Sequence, residues 1–204
     1  MMRHGGLHLL LSILKLDGTA LGDSDNTKAT ARRSLGLWLV ILPCFVVASY
    51  IAERPYIALK SIPAADYAGM RLVTGAVGLS LAWLLVWQAV KFESLEDNFP
   101  RLFTAQNWLT TFWAVLAALS NFSTRNMIFL REDIIRLMTV EYLVWLLSIW
   151  FVCWRTLKCN PFYAAGVATL LLMPQAAVSD IASHFMFGTA RPFFDPAMNI
   201  LEAK

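Results

Sequence analysis

Asp180 and His184 stand one helical turn apart in the sequence, so on a helix they face the same way. An acid beside an imidazole that titrates near neutrality could pass a proton or supply two ligands to a metal. Two ligands are too few for a stable metal site, and His4 and His8 lie far off along the chain. No metal centre is therefore assigned, and a hydrogen-bonded pair at a fraying helix end is the simpler reading. Glu141 is the other group of interest, because it lies about one turn inside an apolar run. At the centre of a bilayer a charged side chain costs roughly 2.5–3.5 kcal/mol, and less near an end. Glu141 could reach the interface, or meet Arg71, Arg125 or Arg136; a proton or ion role is the alternative. Gln175, Asn107 and Asn121 are amides suited to hydrogen bonds between helices. Glu141, Asp180, His184 and Gln175 together are the candidates for an intramembrane polar site.

Recognised catalytic patterns do not accompany them. No GxSxG, HExxH or glycine-rich phosphate loop occurs in the sequence. Thr189-Ala190-Arg191-Pro192 contains an Arg-Pro dipeptide of the kind membrane phosphatases use, but their further His, Ser-Gly-His and second Arg elements are missing. Asn121-Phe122-Ser123 fits the glycosylation acceptor pattern, a match short enough for chance. The three cysteines, Cys44, Cys153 and Cys159, are odd in number and form no CxxC pair. Two lie in apolar runs and behave as small hydrophobes, so a disulfide framework is not expected. The expectation is a protein that is not an enzyme, with no cofactor.

The elements that must carry these residues follow from composition. Of 204 residues 58% are hydrophobic and only 15% charged, against about 25% charged in a typical soluble domain. So few charges could not cover a water-facing surface, which makes a lipid bilayer the natural solvent. The net charge of +3 is not a nucleic-acid signal, because Lys and Arg are scattered between apolar runs as juxtamembrane charges are. The fold class expected is all-α: a polytopic transmembrane bundle of about five spans. Crossing the hydrocarbon takes about 17–25 mostly apolar residues. Spans are predicted near 34–51, 72–90, 106–122, 137–154 and 161–185, within a membrane domain covering 34–187. Arg71 and Lys91 flank the second. Pro43 should kink the first and Pro174 the last, which either stops short or continues to about Phe187. Asn160 can cap that last helix, with Pro161 at its first position.

Residues 1–33 are read as an interfacial helix and loop, with Leu7, Leu10, Leu11 and Leu14 on one face. His8, Lys15 and Asp17 interrupt what would otherwise have the order of a secretory signal. Residues 123–136 are too polar to span and are read as an amphipathic surface helix or a solvated extension of the fourth span. Residues 188–204 form a C-terminal tail. Positive charge is nearly balanced between the two sides. Lys28, Arg32 and Arg33 favour a cytoplasmic N-terminus, while Arg125, Arg131 and Arg136 argue the other way. Small residues at Gly75, Ala76 and Gly78 would let another helix approach closely, either from a partner or from this chain.

Three stretches carry a resemblance. They are Ala31-Arg32-Arg33-Ser34 entering a span with Pro43, Phe99-Pro100-Arg101-Leu102-Phe103-Thr104-Ala105-Gln106-Asn107-Trp108, and Trp154-Arg155-Thr156-Leu157-Lys158 before a last span with Asp180. In this order of parts the chain resembles small five-span bacterial inner-membrane proteins of the Yip1-like kind. The resemblance implies a multi-pass protein of the bacterial inner membrane. It implies action through protein partners or in membrane organisation, with no catalytic residue to carry over; a membrane-protein partner or a homo-oligomer is expected. The alternative is a small solute, ion or proton transporter using Glu141, Asp180 and His184.

Overall fold

The structure, a computed structural model, describes residues 11, 15, 17, 21, 26–125 and 131–188, without the side chains at 55, 56, 124, 125, 131, 132, 134 and 135. Apart from Leu11, the interfacial helix expected around Leu7–Leu14, with the middle of the 123–136 segment and nearly all of the C-terminal tail, lies outside the described residues. Regular structure in the described residues is all helical. Helix α1 (Lys28–Ser34) passes through a 3-10 turn, Leu35–Leu37, into α2 (Trp38–Leu59). Then come α3 (Ala64–Phe92), α4 (Phe99–Arg125), α5 (Arg131–Leu157) and α6 (Pro161–Phe187), with a 3-10 turn at Glu96–Asn98 leading into α4.

Local chemistry sets the helix ends. The Thr27 hydroxyl accepts from the Thr30 N–H at 3.2 Å to open α1. Asn160 accepts from the Phe162 N–H at 2.8 Å, and Pro161 fills the first position of α6. That helix ends at Gly188, whose φ of 76° is left-handed and whose N–H returns to the His184 carbonyl at 2.8 Å. Neither Pro43 nor Pro174 breaks its helix. Beside Pro174, which cannot donate a backbone bond, the Gln175 amide donates to the Leu171 carbonyl at 2.5 Å.

Four helical stretches, Lys28–Arg54, Ala64–Phe92, Arg136–Leu157 and Pro161–Phe187, are long and apolar enough to cross a membrane. The chain is therefore a multi-pass membrane protein. Large apolar side chains such as Leu39, Val73, Leu84, Leu147 and Phe185 stand exposed on the outside of these helices, where lipid chains can cover them. The sequence reading expects five spans; among the described residues four meet the criteria of length and composition. Helix α4 has 27 residues, about 40 Å of helix, but Thr104, Gln106, Asn107, Ser120 and Asn121 make it too polar to qualify.

The helices pack as a closed ring. Helix α2 lies on α3, α3 on α6, α6 on α5, α5 on α4 and α4 back on α2, while α1 covers the start of α4. Asn107 donates to the Ser34 hydroxyl at 3.0 Å and Asn121 to the Ala48 carbonyl at 3.2 Å. Ser34 and Ala48 belong to one helical stretch, Lys28–Arg54, and the same offset in both pairs shows that this stretch runs parallel to α4. The end of the ring near residues 93–98 and 158–160 is filled by an apolar core that includes Leu21, Trp83, Val86, Leu102, Leu109, Val152 and Val167. Toward the 60–63 turn that packing gives way to an ionic cluster and a cavity.

Candidate functional site

Antiparallel packing of α2 against α3 brings Glu53 level with Arg71, because the turn at residues 60–63 lies midway between them. Arg71 is 1% exposed and forms an ion pair with Glu53. A guanidinium has five N–H donors, and this one finds five acceptors. Nη2 donates to Glu53 and to the Ser183 hydroxyl at 2.9 Å. Nη1 donates to the Ser179 hydroxyl at 3.1 Å and, more weakly, to the Ser179 carbonyl at 3.5 Å. Nε donates to the Tyr67 hydroxyl at 3.3 Å, and that hydroxyl donates in turn to Glu53 at 2.6 Å. The cluster ties α2, α3 and α6 together in one charge-neutral unit. In the sequence reading Arg71 is a flanking residue at a membrane surface; it belongs instead inside the bundle, in the second turn of α3. It is also not the partner of Glu141.

Beside this cluster lies a cavity of about 390 Å³ to which all five long helices contribute. Helix α2 supplies Ile41, Leu42 and Phe45, α3 supplies Thr74, Gly75, Gly78 and Leu79, and α6 supplies Gln175 and Ser179. The remaining wall is α4 from Thr110 to Asn121 and α5 from Met138 to Trp145. The walls are mostly apolar and aromatic, with a few hydroxyl and amide groups. Glu141 is the charged residue among them. One of its carboxylate oxygens accepts from the Ser120 hydroxyl at 3.0 Å, and no described cation is in ion-pair reach of it. The aromatic wall is held in place by polar contacts. The Trp113 ring N–H donates to the Ser148 hydroxyl at 3.1 Å, Ser148 donates to the Trp145 carbonyl at 2.7 Å, and Tyr142 sits 5.6 Å from Trp145 ring to ring.

The predicted polar residues are thus divided. Glu141 and Gln175 share the cavity, although the Gln175 amide is spent on its own helix. Asp180 is half-buried outside the cavity lining, with one carboxylate oxygen enclosed and unpartnered. His184 is exposed, and no hydrogen bond joins it to Asp180. The hydrogen-bonded pair expected from the i,i+4 spacing is not made: Asp180 is half-buried with an unpartnered oxygen, and His184 is exposed. No group of three His, Cys, Asp or Glu that could hold a metal comes together among the described residues.

Gly75 and Gly78 are used within the chain. A Cβ on Gly75 would lie 3.1 Å from Leu42, and one on Gly78 would lie 3.2 Å from the Gln175 backbone. They let α2 and α6 close on α3, so they are not free to receive a helix from another protein; Ala76 is half-buried beside them. Asn121, first residue of the glycosylation pattern, is buried against α2. The residues that sequence reasoning missed are Glu53, Tyr67 and Arg71 in the cluster, and Ser120, Trp113 and Trp145 in the cavity. The sequence matches no protein-family model, and no curated protein or solved structure is significantly similar to it.

Proposed function

We propose that this chain is a five-span membrane protein that holds a small molecule in the cavity at the centre of its helix ring, as a non-enzymatic solute-binding or transport protein. One observation carries the reading: five helices from all parts of the chain converge on a single lined space with a lone carboxylate in its wall. Its volume is at the small end of the roughly 300–1,000 Å³ usual for small-molecule pockets.

The proposal counts α4 as the fifth crossing. Its polar residues are turned inward, with Gln106 donating to the Ile149 carbonyl at 3.1 Å and Asn107 buried against Ser34. Its outer face presents exposed Val115, Leu119 and Phe122 at helical spacing. A helix polar toward its neighbours and apolar outward suits a lipid environment in spite of its composition. Lys28, Arg32 and Arg33 at the start of the first helix favour that end facing the cytoplasm. The second reading is an accessory protein of the bacterial inner membrane acting through partners. It is weaker, because Gly75 and Gly78 are taken up by internal packing.

Native mass spectrometry of the protein released from nanodiscs tests the proposal. An adduct lighter than a phospholipid, retained by the wild type and lost when Ala117→Trp fills the cavity, supports it. Bare protein mass in both, with folding intact, counts against it.

A further inference from the structure

We infer that the cavity selects a small molecule bearing a positively charged amine or quaternary ammonium group on a short apolar body. The inference rests on the reading of the cavity as a binding site and adds the chemical class of its occupant. Glu141 contributes a carboxylate whose partner among the described residues is the Ser120 hydroxyl, at 3.0 Å. Next to it in sequence and in the wall is Tyr142, with Trp145 one turn along, Trp113 on the adjacent α4 and Phe45 on α2. A carboxylate among aromatic side chains is the combination that recognises ammonium ions, because aromatic faces attract a cation and do not demand hydrogen bonds of it. The remaining wall offers apolar surface for a short hydrocarbon body.

Electrostatics points the same way. Arg71, the buried cation beside the cavity, is not in its lining; its guanidinium meets the wall at Ser179, which both lines the cavity and accepts from Nη1 at 3.1 Å. All five Arg71 donors are occupied and its charge is balanced by Glu53. An anionic ligand would therefore meet Glu141 and find no free donor from Arg71. A bare metal ion would find one carboxylate and neutral hydroxyls, with no cluster of strong ligands among the described residues. A protonated amine can satisfy Glu141, whose charge meets no counter-ion among the described residues.

The test uses full-length protein in nanodiscs and three probes of one chain length: octyltrimethylammonium, 1-octanol and octyl phosphate. Binding is read from tryptophan fluorescence, and the signal that survives in Ala117→Trp is subtracted as partition into lipid. The expected result is at least tenfold tighter binding of the ammonium probe than of octanol, and none of the phosphate. Glu141→Gln, which keeps the side chain's size and its bond to Ser120, should abolish the preference but leave octanol affinity unchanged. Trp145→Leu should weaken the ammonium probe several-fold more than octanol. Equal affinity for ammonium and octanol overturns the cation assignment while leaving the binding site standing. Tighter binding of the phosphate overturns it too, and no specific binding of any probe overturns the binding site itself.

Discussion

Replacing Glu53 by alanine removes the counter-charge of Arg71 and leaves a guanidinium that is 1% exposed among two serines and a tyrosine. The Tyr67 hydroxyl loses its acceptor in the same step. Breaking one side of a buried ion pair costs about 3–5 kcal/mol, since the remaining charge has neither water nor partner. Losing one neutral acceptor, as in Ser183→Ala, costs about 0.5–1.5 kcal/mol. Replacing both charges by apolar residues of similar size, as in Glu53→Leu with Arg71→Met, is often neutral or stabilising. The expected order of stability is therefore wild type and the double variant together, Ser183→Ala slightly below, and Glu53→Ala far below. Unfolding in mixed micelles with rising SDS fraction, followed by far-UV circular dichroism, measures it. A Glu53→Ala protein within about 1 kcal/mol of wild type would refute the reasoning that the cluster is dry. So would a double variant as unstable as the single one.

Other outcomes follow from packing and exposure. Gly78→Leu should destabilise by about 1–3 kcal/mol, because its Cβ already meets the Gln175 backbone at 3.2 Å. Gly166→Ala, with nothing within 4 Å of its Cβ, should stabilise by about 0.4–1 kcal/mol in the same unfolding assay. Burial pushes the Cys159 thiol above its ordinary pKa, which lowers its thiolate fraction at neutral pH. In a Cys44→Ser, Cys153→Ser background its alkylation should be slow at pH 7 and keep rising beyond pH 9, as followed by mass spectrometry. In a cysteine-free background, five crossings require Ser94→Cys and Lys158→Cys to label from one face and Ser61→Cys from the other. If α4 does not cross, Lys158→Cys labels together with Ser61→Cys.

Much of the helical layout was legible, for a plain reason. Apolar runs at 34–51, 72–90, 137–154 and 161–185 each fall within a helix or a continuous helical stretch that the structure describes. Asn160 and Pro161 mark the start of α6 by chemistry that acts within two residues. The helices exceed the apolar runs at their ends, because hydropathy reports only the residues that meet lipid, and α3 begins at Ala64, well before Leu72. Residue-level function was less legible. Arg71 looked like a boundary charge because one strand of sequence cannot show that a charge is paired across a hairpin. Yet Glu53 and Arg71 lie nearly equidistant from the turn at 60–63, and reading the two spans as an antiparallel pair would have set them side by side. No such local signal marks Trp113 and Trp145. They come together because α4 and α5 are neighbours in the ring, a property of topology.

The division of charge in the loose half of the ring follows from how many donors each group can satisfy. Glu53, Tyr67, Ser179 and Ser183 together use every hydrogen of Arg71, so the arginine is an inert structural tie. Glu141 in the same half has Ser120 and open space. The ionic cluster thus has a second consequence besides holding three helices together. By keeping its cation fully occupied, it leaves no guanidinium N–H of Arg71 for the cavity, so on the proposed reading Glu141 is the charged group an occupant would meet.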